Sequence, residues 1–164
     1  MNIELKKIKY AAFASEETSC FTAEIWIDGK KEGTVSNDGH GGSDNLHPWQ
    51  LGKRIDEYAK TLPQRDVSDI YDDGKKHFME ESAETLIGDL LNDFLAAKEL
   101  KRLLSKKVVY KTVGEKSFYS TRSLDADRLA KCIANPLKML APVGVEKIIL
   151  NTMPINEAIA LYRA

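Results

Sequence analysis

The chain holds little that would commit it to a known chemistry. Its 164 residues include two cysteines, three histidines and five prolines. Cys20 and Cys132 lie far apart in apolar-patterned segments without CxxC or Cys/His spacing. They read as reduced, buried small hydrophobes, not as a disulfide or a zinc set. No apolar run approaches the roughly 20 residues that a membrane-crossing helix needs, so no membrane partner is expected. The opening Met1-Asn2-Ile3-Glu4-Leu5-Lys6-Lys7 has no continuous apolar stretch, and no secretory signal is expected. A formal net charge of -1 gives no bulk positive charge for nucleic acid. G-x-x-x-x-G-K-[ST], G-x-G-x-x-G and G-x-S-x-G are all missing. What is there is ordinary for a globular protein: 43% hydrophobic and 30% charged residues, in a length that fits one domain over 1–164 with a substantial core.

Periodicity supplies the fold class. Ile3 and Leu5 occupy one phase of an alternating segment, and Ile8, Tyr10 and Ala12 the other. The slip at Lys6-Lys7 predicts a bulge or a weak strand start. Phe21, Ala23, Ile25 and Ile27 then face one way, while Thr22, Glu24, Trp26 and Asp28 face the other. Asp28-Gly29 is a hairpin turn signal, because the primed turns need positive φ. A third strand runs through Gly33-Thr34-Val35-Ser36. Pro48 suits a helix start, with Leu51, Ile55, Tyr58 and Leu62 at helical spacing and Pro63 closing the segment. Residues 63–77 lack apolar period and read as an exposed connector. Its acids Asp66, Asp69, Asp72 and Asp73 fall mostly at steps of three, whereas a calcium loop needs steps of two.

The longest helix is expected from Phe78 to Ser105, amphipathic and packed on the sheet. Val108-Val109-Tyr110 and Phe118-Tyr119 flank Gly114-Glu115-Lys116 as a second hairpin. Ser123 is placed as the cap of a short helix ending at Asn135-Pro136. A short strand over Val145–Leu150 and a helix opened by Pro154 complete the chain. The order βββααββαβα gives an α+β fold: an N-terminal three-stranded antiparallel meander, a long central amphipathic helix, a C-terminal hairpin, a short strand and helices.

The segment Ser36 to Pro48 is the most distinctive. It carries Asn37, Asp38, Gly39, His40, Gly41, Gly42, Asp44 and His47 with Leu46 as its one apolar residue. Polar loops held between regular elements are where binding residues concentrate, so these eight are recognition candidates. Three readings stay open. Consecutive turns carrying the chain from sheet to helix rank first, since Asn, Asp and Gly are turn chemistry. A transition-metal site using His40, His47, Asp38 and Asp44 has the right ligand types but no motif spacing. A phosphate cradle of backbone N–H groups has the glycines, with Asp38 and Asp44 opposing it.

Charge is segregated along the middle of the chain. Three Lys/Arg face nine Asp/Glu over 63–93, and eight face two over 98–122. Lys98, Lys101, Arg102, Lys106, Lys107 and Lys111 stand beside Tyr110, Phe118 and Tyr119, a mixture that can hold a phosphate backbone and stack bases. Acids at a helix N-terminus and bases at its C-terminus also complement the macrodipole, and this second reading ranks ahead. A dipolar surface suits a charged protein partner as well. His77 has no paired nucleophile.

Three pieces together carry a resemblance: Ile8 to Phe13 with Ala14-Ser15-Glu16-Glu17, then Val35-Ser36-Asn37-Asp38-Gly39-His40-Gly41-Gly42, then Ile149-Leu150-Asn151 with Pro154 and Ala160-Leu161-Tyr162-Arg163-Ala164. They resemble small accessory proteins of bacteriophage and prophage genomes that carry an Asn-Asp-Gly-His-Gly-Gly string. The resemblance implies a setting, the cytoplasm of a bacterial host cell, and brings no catalytic residue with it.

The resulting expectation is a non-enzymatic accessory binding protein of phage or mobile-element origin. It would dock on a host or phage macromolecule, inhibition of a host defence being one such role. A protein partner is expected ahead of nucleic acid, and no cofactor is expected. Two alternatives stay open: a nucleic-acid-binding protein using the basic end of the long helix, and a metal-dependent hydrolase or nuclease centred on the glycine-rich segment.

Overall fold

A computed structural model describes residues 1–163. Among the described residues the architecture is α+β, with five helices and antiparallel sheets, 39% helix and 24% strand. Residues 1–164, taken as one domain on length, group by their contacts into two compact units, Met1–Leu91 and Asn92–Ala164.

The first unit opens on a four-stranded antiparallel sheet, ordered β1 (Ile3–Tyr10), β2 (Phe21–Ile27), β3 (Lys30–Asn37) and β4 (Asn45–His47). The expected three-stranded meander therefore gains a strand. Asn45-Leu46-His47 is too short for alternation to reveal it, yet it pairs with β3 through Thr34–His47, Val35–Leu46 and Ser36–Asn45. The slip expected at Lys6-Lys7 is a bulge: pairing with β2 shifts between Lys6 and Lys9, and Lys7 takes φ +52°. Asp28 and Gly29 both have positive φ, as the turn between β2 and β3 requires.

Alternation decides which face is covered. Phe21, Ala23, Ile25, Ile27 and Val35 are buried. Helix α1 (Trp49–Ala59) contributes Leu51, Ile55 and Ala59, three residues at i, i+4 and i+8 on one face. Gly33 allows the helix to approach, because a Cβ there would overlap the His47 carbonyl oxygen and lie 2.6 Å from Leu51 Cδ2. The opposite face is polar and open to water, as one face of an antiparallel sheet often is. On it Glu24 accepts hydrogen bonds from Lys31 Nζ (2.8 Å), Lys7 Nζ (3.0 Å) and Trp26 Nε1 (3.2 Å). Those donors, Lys31 foremost, hold its carboxyl down at about 2. Trp26 lies on this open face, with Lys6 Nζ 4.1 Å from its ring centroid.

The connector expected over 63–77 is a second hairpin. Strand β5 (Arg65–Asp66) pairs with β6 (Phe78–Met79), and a turn of 3-10 helix over Ser68–Ile70 lies between them. Phe78 and Met79 are thus strand residues and not the start of the long helix. Helix α2 runs Ala83–Leu104. Its start is set by an exchange in which Ser82 N–H donates to Thr85 Oγ1 (2.8 Å) and Thr85 N–H donates to Ser82 Oγ (3.1 Å). Ala83, Ile87 and Leu91 are buried along its first part. The unit boundary falls within α2, after Leu91.

In the second unit β7 (Val109–Thr112) is central, between β8 (Tyr119–Ser120) and β9 (Lys147–Ile149). Alternation along this strand sorts the core into two clusters. Val108 and Tyr110 join Cys132, Leu140 and Ile149, while Val109 joins Leu100, Leu150 and Ala158. Helices α3 (Ala126–Ala134), α4 (Pro136–Met139) and α5 (Ile155–Arg163) complete it. The cap of α3 is Asp125 and not Ser123, its side chain accepting from Arg128 N–H at 2.8 Å. Asn151 closes the end of α2: its amide donates to the carbonyls of Leu104 (3.3 Å) and Lys107 (2.9 Å) and accepts from Val109 N–H (2.9 Å). No helix among the described residues is long and apolar enough to cross a membrane.

Candidate functional site

The glycine-rich segment is a hairpin loop. With β4 in the sheet, residues 38–44 connect β3 to β4 instead of leading straight into a helix, which corrects the sheet-to-helix reading. Asn37 organises it. Its Oδ1 accepts from Thr18 Oγ1 (2.7 Å) and Gly39 N–H (2.9 Å), and its Nδ2 donates to Gly42 O (3.3 Å) and Asp44 Oδ1 (3.0 Å). All of the side chain's hydrogen-bonding atoms are engaged.

Gly39 makes the tightest fit. It is buried with φ +89°, and a Cβ would overlap the Ala14 carbonyl oxygen and sit 2.9 Å from Cys20 Cβ. Its own carbonyl receives the N–H groups of Glu16 (3.0 Å), Glu17 (3.0 Å) and Thr18 (3.3 Å). The loop is therefore fastened to the turn at 15–18 through backbone atoms. Gly41 and Gly42 also take positive φ, but nothing lies within 4 Å of a Cβ at Gly42.

These bonds decide what the loop can hold. The N–H groups that a phosphate cradle would offer are already engaged: Gly39 with Asn37, His40 with Asp38 (3.3 Å), and Gly41 with Thr18 Oγ1 (3.3 Å). His40 points to Glu16, Nδ1 to Oε2 at 3.3 Å between two exposed side chains. His47 stands on β4 opposite Thr34. Among the described residues no three His, Cys, Asp or Glu side chains come together as a metal would require.

Beside the loop lies an open cleft of about 510 Å³, lined in part by Asp44, Leu46, Trp49, Lys53, Asp56 and Glu84. The loop supplies Asp44, the start of α1 supplies Trp49 and Lys53, and the start of α2 supplies Glu84. Burial pushes the Asp44 carboxyl above the usual carboxylate range, against the hydrogen bond from Asn37, and the charge of Glu84 adds to the rise. Asp56 Oδ1 accepts from Ala83 N–H at 2.7 Å, joining α1 to the start of α2. Trp49 leaves 69% of its surface in water.

Of the charged and aromatic residues around this cleft, sequence reasoning picks out Asp44 and misses Trp49, Lys53, Asp56 and Glu84. Trp49 does carry a signal. It lies two residues before Leu51, about 200° round the helix, and so outside the apolar stripe that Leu51 begins.

The basic stretch divides. Lys98, Lys101, Arg102 and Lys106 are exposed, while Lys107 and Lys111 are half-buried. Arg102 is occupied by Glu99 through two bonds of 2.7 Å. Two of the three aromatics expected to stack bases are used elsewhere. Tyr110 is buried and donates its hydroxyl to Ala141 O (2.9 Å), and Phe118 packs on Tyr162 with ring centroids 5.3 Å apart. Tyr119 is the exposed one of the three, its ring stacked on Tyr110 at 5.9 Å. The chain matches no family model, no curated protein and no solved structure.

Proposed function

We propose that this is a non-enzymatic docking protein, of phage or mobile-element origin, that acts inside a bacterial cell by binding another protein. Its recognition surface is the β3–β4 loop with the cleft beside it. The observation that carries this reading is Trp49, a large amphipathic ring held at the first turn of α1 with most of its surface in water. Tryptophan is enriched at the energetic centres of protein interfaces, where a rigid ring loses little entropy on binding. Asp44, Asp56 and Glu84 surround the same cleft with a single lysine, Lys53. That balance suits a lysine or arginine of the partner, its stem against the indole and its head toward the carboxylates. The loop is fastened by Asn37 and Gly39, so it can meet a partner without first being ordered.

The test is affinity capture from bacterial extract using wild type and Trp49→Ala side by side. A protein retained by the wild type should fall about tenfold or more with Trp49→Ala, in line with the truncation of an interface centre. Equal retention by both, or nothing above an unrelated control protein, removes the reading. Retention that disappears after nuclease treatment assigns the binding to nucleic acid instead.

A further inference from the structure

The hairpin over 65–79 is held firmly at its base yet leaves apolar side chains in water. Arg65 forks onto Glu81 (Nε–Oε1 2.9 Å, Nη2–Oε2 3.0 Å) and also reaches Asp89. Further out, Val67 N–H donates to His77 O (2.9 Å), and the His77 ring packs tilted against Tyr71 with centroids 4.1 Å apart. His77 Nε2 lies 3.0 Å from Asp73. On this ordered frame Ile70 is 76% exposed and Phe78 54%, with Tyr71 and Met79 also exposed. Large apolar side chains left exposed on an ordered frame suit an interaction surface.

Charge identifies what these side chains suit. Among exposed side chains over 63–91, six are acidic (Asp66, Asp69, Asp72, Asp73, Glu80 and Glu84) and two are basic (Lys75 and Lys76). Over 98–122 the balance is reversed: six exposed bases, among them Lys98, Lys101, Lys106 and Lys116, against Glu115 alone. This basic stretch also exposes Val113 and Tyr119. The helix macrodipole accounts for charges in the first and last turns of α2. It does not account for Asp66 to Asp73 on the hairpin, or for Lys116 and Arg122 beyond β7. Among the described residues Asp69, Asp72, Lys101 and Lys106 have no ion-pair partner within the chain.

We propose that the acidic, apolar hairpin 65–79 of one copy docks on the basic 98–122 surface of a second copy. Ile70 and Phe78 would add apolar contact, with Val113 and Tyr119 the exposed apolar side chains of that stretch. Each copy carries both surfaces, so a second copy can supply the partner. The surface differs from the Trp49 cleft, so this inference stands or falls separately from the docking function above.

Sedimentation velocity of the full chain tests it, using the protein as its own probe. Wild type should associate at about 50 mM NaCl and dissociate about tenfold more readily at about 500 mM, because these charges are exposed and screened by salt. Asp69→Lys with Asp72→Lys should abolish association by setting like charges face to face, and Lys101→Glu with Lys106→Glu should do the same. Mixing the two charge-reversed proteins should restore it, because a contact between unlike variants again joins opposite charges. Ile70→Ser with Phe78→Ser should weaken it at every salt concentration. The restored mixture also shows that the variants fold. A wild type that stays monomeric at low salt overturns the proposal. So does association indifferent to the reversals, or a mixture that fails to recover it.

Discussion

Two aspartate-bearing loops behave in opposite ways. The β3–β4 loop and the hairpin tip between β5 and β6 each carry aspartates and glycine at positive φ, and each joins antiparallel strands. In the β3–β4 loop, polar atoms close on the loop itself: Asn37 makes four hydrogen bonds and the Gly39 carbonyl gathers three N–H groups from the neighbouring turn. In the β5–β6 hairpin, local bonds order the backbone, with Ser68 N–H donating to Asp66 (2.9 Å) and Lys75 N–H to Asp73 (3.0 Å). Ile70, Tyr71 and Phe78 are left outside. By sequence alone the β3–β4 loop reads first as turns and second as a recognition surface, and the β5–β6 hairpin as a connector. Composition reported polarity, and the destination of each hydrogen bond decided the rest.

The sharpest way to break this comparison is Gly39→Ala. The new methyl meets the Ala14 carbonyl and the backbone must leave φ +89°, so a loss of about 3 kcal/mol or more is expected in urea unfolding. Gly42→Ala is the control. With open space around it, only the positive φ opposes the change, and about 1 kcal/mol is expected. Equal losses at the two glycines would mean that the loop is not fastened through Gly39.

Asn37→Ala comes next. It leaves Gly39 N–H and the Thr18 hydroxyl without their acceptor and frees Asp44 from its donor, an expected cost of about 2 kcal/mol by the same measurement. Losing the Asn37 donor should also raise the Asp44 carboxyl pKa further, because that hydrogen bond now holds it down against burial. The Asp44 side-chain carbon resonance followed against pH checks the direction.

The smallest effect belongs to the β5–β6 hairpin. Arg65→Ala removes the fork onto Glu81 and Asp89, but the guanidinium is about one-third exposed and water screens it. About 1 kcal/mol is expected, with faster amide exchange confined to 65–79. A loss as large as that of Asn37→Ala would show that the hairpin base carries more of the unit's stability than its contacts imply.

Much of the fold was legible because it rests on local rules. Period-2 alternation over Phe21–Ile27 marked the buried face, Asp28-Gly29 marked the turn, and the slip at Lys6-Lys7 marked the bulge. What was missed is short or non-local. Strand β4 has three residues, and β5 and β6 have two each, too few for a period to emerge. Phe78 and Met79 fit the apolar stripe of α2 as well as they fit a strand, and the exchange between Ser82 and Thr85 ended the helix below them. Asp125 displaced Ser123 as a cap because its carboxylate reaches Arg128 N–H. In the candidate site only Asp44 was foreseen, since the cleft joins side chains from 44, 49 and 84 that no local pattern relates.

The sequence by itself determined the α+β class, the antiparallel meander, the segregation of charge and the turn chemistry of the glycine-rich segment. Each follows from neighbours in the chain: alternation, helical spacing, positive φ and counts of charge. Tertiary structure alone decided that Asn37 is a latch, that the two histidines find different neighbours, and that Tyr110 is core. It alone placed Trp49 at the mouth of a cleft. These depend on where a hydrogen bond ends and which atoms exclude water, and both are set by residues far away in sequence.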